Sequence, residues 1–147
     1  MKIVIQRVKS AKVSVVATNE VVGQIEKGLF VLFGIKEGDT SQMARELATK
    51  LIKLRIMSDQ KDKMNLSVKD TDVSILVISQ FTLYADTSGG NRPSFVKAAK
   101  PDDAKPIYEA FIKHLKELEV NVQTGSFGNY MNIDAELDGP VTIILEN

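Results

Sequence analysis

The chain has no cysteine and one histidine, His114. Disulfides, thiolate nucleophiles and Cys-ligated zinc are therefore excluded, and a lone imidazole cannot build a multi-histidine metal site. Net charge is also missing, because 19 Lys+Arg face 19 Asp+Glu. A protein that grips long stretches of phosphate backbone is basic overall, so any nucleic-acid partner of this chain must be met locally. No apolar run approaches the roughly 20 residues that span a bilayer. The opening Met1-Lys2-Ile3-Val4-Ile5-Gln6-Arg7 puts a charge at each end of a short apolar run, where a secretory leader needs a longer one. The expectation is a cytoplasmic protein with no membrane partner. Self-contained catalytic motifs are absent too: there is no G-x-S-x-G, no H-E-x-x-H, no P-loop and no G-x-G-x-x-G after a strand.

What is present is an ordinary folding pattern. With 147 residues, 44% of them hydrophobic, the chain is long enough for one domain with a real core and short for two. Lys2 to Val8, Lys12 to Ala17, Val21 to Ile25 and Leu29 to Ile35 read as strands. Asp39 with Gln42 reads as an N-cap and capping-box partner for a helix over Thr40 to Leu54, whose Met43, Leu47 and Leu51 share an apolar face. Asp59 to Asn65 reads as an exposed connection, Val73 to Ile78 as a buried strand and Asp86 to Ser94 as a loop. Ile107, Phe111, Leu115 and Leu118 mark a second helix entered through Pro101 and Pro106, with His114 near its polar side. A strand at Val120 to Thr124 follows. Met131, Ile133, Ala135 and Leu137 then alternate with polar residues before Gly139-Pro140 and Val141 to Leu145, which reads as strand, tight turn, strand. Residues 1–147 are thus expected to form a single α+β domain, mainly antiparallel sheet of barrel- or sandwich-like form under two helices.

Two segments carry more than structure. Ser79-Gln80-Phe81-Thr82-Leu83-Tyr84-Ala85, leading into Gly90-Asn91-Arg92-Pro93-Ser94-Phe95, resembles the signature of the D-aminoacyl-tRNA deacylases, and Gly139-Pro140-Val141-Thr142 is similar to that family's second signature. Ile5-Gln6-Arg7-Val8 and Thr124-Gly125-Ser126-Phe127-Gly128 with Met131 match as well, so the resemblance runs through nearly the whole chain in order. One position departs from it. The family's second motif begins with Asn two places before the glycine, and Leu137 stands there in this chain.

The resemblance implies a homodimeric, metal-independent hydrolase that needs no cofactor. Its substrate would be the ester of the tRNA 3′ end carrying a D-amino acid or glycine, including glycine mischarged on tRNA(Ala). It implies that the Ser79, Gln80 and Thr82 backbone lies beside the scissile ester and that Phe127 and Met131 pack on the terminal adenine. An aromatic ring and a polarisable thioether suit a purine face. By pattern alone Met131 reads as core packing. The resemblance also implies that Phe81 belongs to the same substrate pocket. Arg7 is either a phosphate contact or a structural hydrogen-bonding group.

Thr82 is the nucleophile candidate, but no neighbouring base is evident in the sequence, and a threonine hydroxyl needs one. The other route uses the adenosine 2′-hydroxyl beside the ester, with the protein supplying positioning and oxyanion-binding N–H groups. The resemblance further implies a cis Gly139-Pro140 bond from the other subunit, acting as a backbone filter that rejects L-aminoacyl groups. The alternative reading is a non-catalytic nucleic-acid-binding module on the same fold.

Overall fold

The structure, a computed structural model, describes all residues from Met1 to Asn147. Its organising strand is β1 (Lys2–Val15), 14 residues long. Two strands were expected there. A single one forms because its partner β8 (Met131–Glu146) pairs along its whole length, and the break between the two apolar runs is absorbed as register shifts at Gln6/Val8 and Val8/Ser10. A strand has two edges. With β8 on one edge throughout, β2 (Val21–Ile25) and β3 (Gly28–Gly34) share the other, β3 against Lys2–Val8 and β2 against residues 11–14. The sheet then continues in parallel, from β3 to β6 (Ser74–Ser79) and from β6 to β7 (Val122–Thr124). The sheet is therefore mixed, its three antiparallel ladders on β1 being extended by two parallel ones. Parallel pairing follows from long crossovers, which return the chain to the same end of the sheet.

Alternation along the strands sorts the core into two clusters. Leu29, Val31 and Phe33 of β3, Ile75 and Val77 of β6, and Ile3 and Ile5 of β1 point to one face. That face is covered by α1 (Ser41–Ile52) and α3 (Pro101–Glu117). Phe30, Leu76 and Ile78 point to the other face, where Val8, Ala11, Val13 and Ile25 cover them. The distal half of the β1–β2 hairpin thus folds back over the sheet until β2 lies against β7. There a side chain at Gly23 would overlap the Thr124 carbonyl. The result is a nearly closed barrel-like sheet with helices on one side. Each large side chain sealed in this way contributes about 1.5–3 kcal/mol.

The helices differ from expectation in detail. The cap of α1 is Thr40, whose hydroxyl accepts the Met43 N–H at 3.3 Å. Asp39 is committed elsewhere: its carboxylate accepts the Lys36 N–H at 2.8 Å and pairs with the Met1 ammonium at 3.0 Å, both side chains sealed from solvent. A buried cation is tolerable only with such a partner. His114 was expected near the polar side of the second helix. It lies instead at the α1–α3 seam, its Nε2 3.1 Å from Thr49 Oγ1 and its Nδ1 3.2 Å from Glu117. A third helix, α2 (Val68–Thr71), is only 4 residues long and is entered through a Ser67–Asp70 capping box. The Asp59–Asn65 connection is the turn of a small hairpin, β4 (Met57–Ser58) with β5 (Met64–Leu66). No helix is long and apolar enough to cross a membrane.

The Gly139-Pro140 pair does not reverse the chain. β8 continues through it, and residues 138–141 bulge out opposite Arg7, between the Val8↔Leu137 and Gln6↔Thr142 pairs. The Gly139-Pro140 bond is cis. The alternating apolar residues of the preceding half are also not covered: Ile133 is 37% exposed and Leu137 43%.

Candidate active site

The parallel strands β3, β6 and β7 end together, and the first signature begins where β6 stops. Ser79 is the last residue of β6, opposite Phe33. The Gln80 N–H still donates to the Phe33 carbonyl at 2.8 Å, after which the chain turns into a single 3₁₀ helix, Phe81–Tyr84. Gly34 makes this turn possible, because a Cβ there would sit 3.0 Å from Leu83 Cβ and 3.1 Å from the Gln80 carbonyl oxygen. In parallel sheets such carboxyl ends are where ligands are received.

Thr82 is exposed on this turn, and Gln80 Nε2 donates to its Oγ1 at 2.5 Å. The hydroxyl oxygen is therefore an acceptor already in use, and its own hydrogen is free to be donated outward. His114 is committed at the α1–α3 seam, so Thr82 has no general base from that residue. The first donor inside the turn is the Leu83 N–H, to the Gln80 carbonyl. The N–H groups of Phe81 and Thr82 precede it and have no partner within the turn, as at the start of any helix. The Phe81 ring is 56% exposed and meets Phe95 edge to face at 5.0 Å between centroids, which ties the Asp86–Ser94 loop to the turn.

The second matched segment lies at the same end. The Gly125 N–H donates to the Val77 carbonyl at 3.2 Å, and a Cβ at Gly125 would meet Ile78 Cδ1 at 2.7 Å and Met131 Sδ at 2.8 Å. The following turn closes through Asn129 Nδ2, which donates to Ser126 Oγ at 2.6 Å. Phe127 is half-buried with its ring 5.7 Å from Tyr108, and the Tyr108 hydroxyl is fixed by donation to the Val77 carbonyl at 2.9 Å. Met131 is half-buried, packs on the Leu76/Ile78 cluster, and its sulfur accepts the Ser126 N–H at 3.2 Å. Phe127 also lines a groove of about 750 Å³ between α3 and β7. The turn carrying Ser79, Gln80, Phe81 and Thr82 and the turn carrying Phe127 and Met131 thus leave neighbouring parallel strands at the same end of the sheet, while the groove lined by Phe127 does not include residues 79–82. Gly34 and Tyr108 shape this end of the sheet without having been singled out as site residues in the sequence; a glycine at the end of a strand was the available signal for the first.

Arg7, Gly139 and Pro140 lie elsewhere in the chain. Arg7 is 8% exposed and bonded through two of its nitrogens: Nη1 donates to the Ile56 carbonyl at 3.0 Å and to Ser58 Oγ at 3.3 Å, and Nε donates to Asp138, 3.0 Å from its carboxylate and 3.3 Å from its carbonyl. These bonds hold the residue before Gly139. The bulge lies three strands across from β6, at the level of Arg7, while Ser79 sits at the level of Ile3. With strands about 4.8 Å apart and residues about 3.3 Å along them, the two motifs are roughly 15–20 Å apart within one chain.

This geometry coincides with a match over nearly the whole length. Residues 4–146 match the D-Tyr-tRNA(Tyr) deacylase family model. The chain belongs to that family. A deacylase of Halalkalibacterium halodurans, named D-aminoacyl-tRNA deacylase, is 50% identical over all of this chain and 99% of its own length. One of the same name from Flavobacterium johnsoniae is 49% identical over all of this chain and 97% of its own length. Among solved structures, the c-Myc DNA Unwinding Element Binding Protein superposes with TM-score 0.92 at 37% identity, covering 100% of this chain and 99% of that one. A structure described as a probable eukaryotic D-amino acid tRNA deacylase shares the fold, with TM-score 0.81 at 17% identity, covering 98% of this chain and 97% of that one. As a member of the deacylase family, the protein is a hydrolase acting on an aminoacyl-tRNA ester bond.

Proposed function

We propose that this deacylase acts on D-aminoacyl-tRNA and on glycine mischarged on tRNA(Ala), with no cofactor, in the cytoplasm, and as a homodimer. The observation that carries the reading is that the Ser79–Thr82 turn and the Phe127/Met131 turn leave the adjacent parallel strands β6 and β7 at the same end of the sheet. The terminal adenine rests on Phe127 and Met131, and the ester carbonyl lies over the free Phe81 and Thr82 N–H groups. Water adds to that carbonyl, and the two N–H groups stabilise the oxyanion, an effect worth up to a few kcal/mol per donor. The adenosine 3′-oxygen then leaves as the acyl bond breaks and takes up a proton. The neighbouring 2′-hydroxyl relays protons in place of a protein base. Thr82, its oxygen engaged by Gln80, donates its hydrogen and positions the substrate.

A single chain leaves this pocket open, because its own Gly139-Pro140 bulge is remote. The 16-residue β8 has a free edge, and Ile133, Leu137 and Ile144 are exposed along it. Long free edges with apolar side chains are templates for pairing. A second copy docked there supplies the Gly139-Pro140 backbone, held through Asp138 by Arg7, as the wall that an L side chain strikes. Glycine has nothing to clash, and side-chain identity goes unread. Ester loss from D-tyrosyl-, L-tyrosyl- and glycyl-tRNA(Ala), with mass in solution at micromolar concentration, tests this. Hydrolysis of the D and glycyl substrates by a species of twice the 16.2 kDa chain mass is expected. Equal hydrolysis of the L form sinks the filter, and a monomer with full activity sinks the shared pocket. The engagement of His114 away from Thr82, together with a 37% identical structure named for DNA binding, favours one second reading, a module that binds without turnover. Binding with no ester loss from either enantiomer would establish it.

A further inference from the structure

The Asp86–Ser94 loop is more ordered than its composition requires and leaves its tip unused. Its root is a two-way bridge: the Asp86 N–H donates to the Ser94 carbonyl and the Ser94 N–H to the Asp86 carbonyl, both at 2.8 Å. The Asp86 carboxylate then holds the interior, accepting from Ser88 Oγ at 2.7 Å and from the Ser88 N–H at 3.0 Å, while Lys97 Nζ pairs with it at 2.7 Å. The acid of the loop is thus neutralised internally. Gly90, at φ +137°, adopts a backbone conformation that side-chain-bearing residues avoid. Around Gly89 and Gly90 nothing lies within 4 Å of where a Cβ would stand, so the backbone at the tip is open to close approach. Arg92 is exposed beside them and reaches no carboxylate within 4.0 Å. Asp102 and Asp103, the next acids along the chain, sit in the first turn of α3, where the helix's own positive end meets them. The loop's root rests on the catalytic turn through the Phe95–Phe81 contact.

We propose that this loop reads the phosphate backbone of the nucleic acid leading up to the ester, with Arg92 as the contacting cation. The inference rests on the tRNA reading above. An open, glycine-bearing tip on a bonded root, with one unpaired guanidinium, fits a phosphate, which an arginine fork binds in two places. The net-neutral chain requires such contacts to be local, and this one adjoins the site where the 3′ end must enter. Arg92 does not touch the reacting atoms; it holds the rest of the tRNA.

The test compares D-tyrosyl-tRNA with D-tyrosyl-adenosine, which lacks the upstream phosphates, for the wild type, Arg92→Ala and Arg92→Lys across a range of salt. Arg92→Ala should raise KM for the tRNA about fivefold with kcat unchanged. It should reduce the slope of log(kcat/KM) against log salt by about 0.7–0.9, the value of one phosphate contact. D-tyrosyl-adenosine should be cleaved as before. Arg92→Lys should restore the salt slope and only part of the KM. Equal losses on both substrates would mean that the loop acts through Phe81 on the turn, no loss on either that Arg92 meets solvent, and a fall to monomer mass that it belongs to a subunit contact; each overturns the proposal. Binding of uncharged tRNA by fluorescence anisotropy reads the same salt slope without hydrolysis, so a failure of the functional reading is told apart from a failure of this one.

Discussion

Replacing Thr82 with alanine separates the two chemical routes. Thr82 is exposed and its hydroxyl takes part in one hydrogen bond, from Gln80, so the substitution should shift stability by no more than about 0.5 kcal/mol. If the hydroxyl only donates to the substrate, its removal costs one hydrogen bond, about 0.5–1.5 kcal/mol, or a two- to tenfold fall in rate. If it is the nucleophile, the loss is about four orders of magnitude or more. The structure favours the small value, because His114, the chain's one histidine, is engaged at the α1–α3 seam and does not serve Thr82 as a base. The assay is single-turnover ester loss from D-tyrosyl-tRNA, run in parallel on substrate ending in 2′-deoxyadenosine. The deoxy substrate should lose about a hundredfold, in the range of general acid–base contributions, and so more than the variant. A fall of four orders for Thr82→Ala in a folded protein of unchanged mass, with the deoxy substrate cleaved normally, refutes the substrate-assisted route.

Arg7→Ala should destabilise the fold by about 3 kcal/mol in urea titration, because it strands the Ile56 carbonyl and leaves Asp138 without its cation; no change in the midpoint would mean that the network is dispensable. It should also admit L-tyrosyl-tRNA by loosening the residue before Gly139, and unchanged selectivity would separate the bulge from its anchor. Gly28→Ala, whose Cβ would overlap the Ser74 carbonyl oxygen, should cost about 3 kcal/mol by the same measurement, and a loss under 1 would show that β3 and β6 can separate freely. The Lys97 ammonium and the Ser88 hydroxyl and N–H hold the Asp86 carboxyl well below the usual carboxylate range. A carboxyl depressed in this way contributes order to the loop above the ordinary carboxylate pKa and loses it as pH falls through the lower folded value. An Asp86 carbon-13 titration should therefore show no midpoint near 3.8, and a midpoint there would mean that the loop clamp is open in solution.

The elements that local pattern specifies were legible. Val21 to Ile25 forms the strand expected, the apolar stripe of Leu47 and Leu51 faces the core, and Pro101 opens α3. The family signatures were legible as well, since they are sequence by nature. Partners distant along the chain were not. Asp39 looked like a helix cap because short polar side chains before a helix usually are, but a buried ammonium 38 residues away claimed it. His114 looked solvated because helical periodicity reports one helix's own faces and not the neighbour that covers a flank, here Thr49 of α1. Gly139-Pro140 looked like a reversal because that dipeptide usually makes one. The strand runs on because β1 is long enough to pair both sides of a bulge that Arg7 fills.

Sequence by itself therefore determined the two apolar faces of the sheet, the helical stripes and the family, because these depend on side-chain type at fixed spacing along the chain. Tertiary structure decided the parallel order of β3, β6 and β7, which puts the turns carrying Thr82 and Phe127 at the same end of the sheet and holds Gly139-Pro140 away from both. That choice turns on which strand edges are free and how far the crossovers reach, and such long-range geometry leaves no periodic mark in the residues it joins.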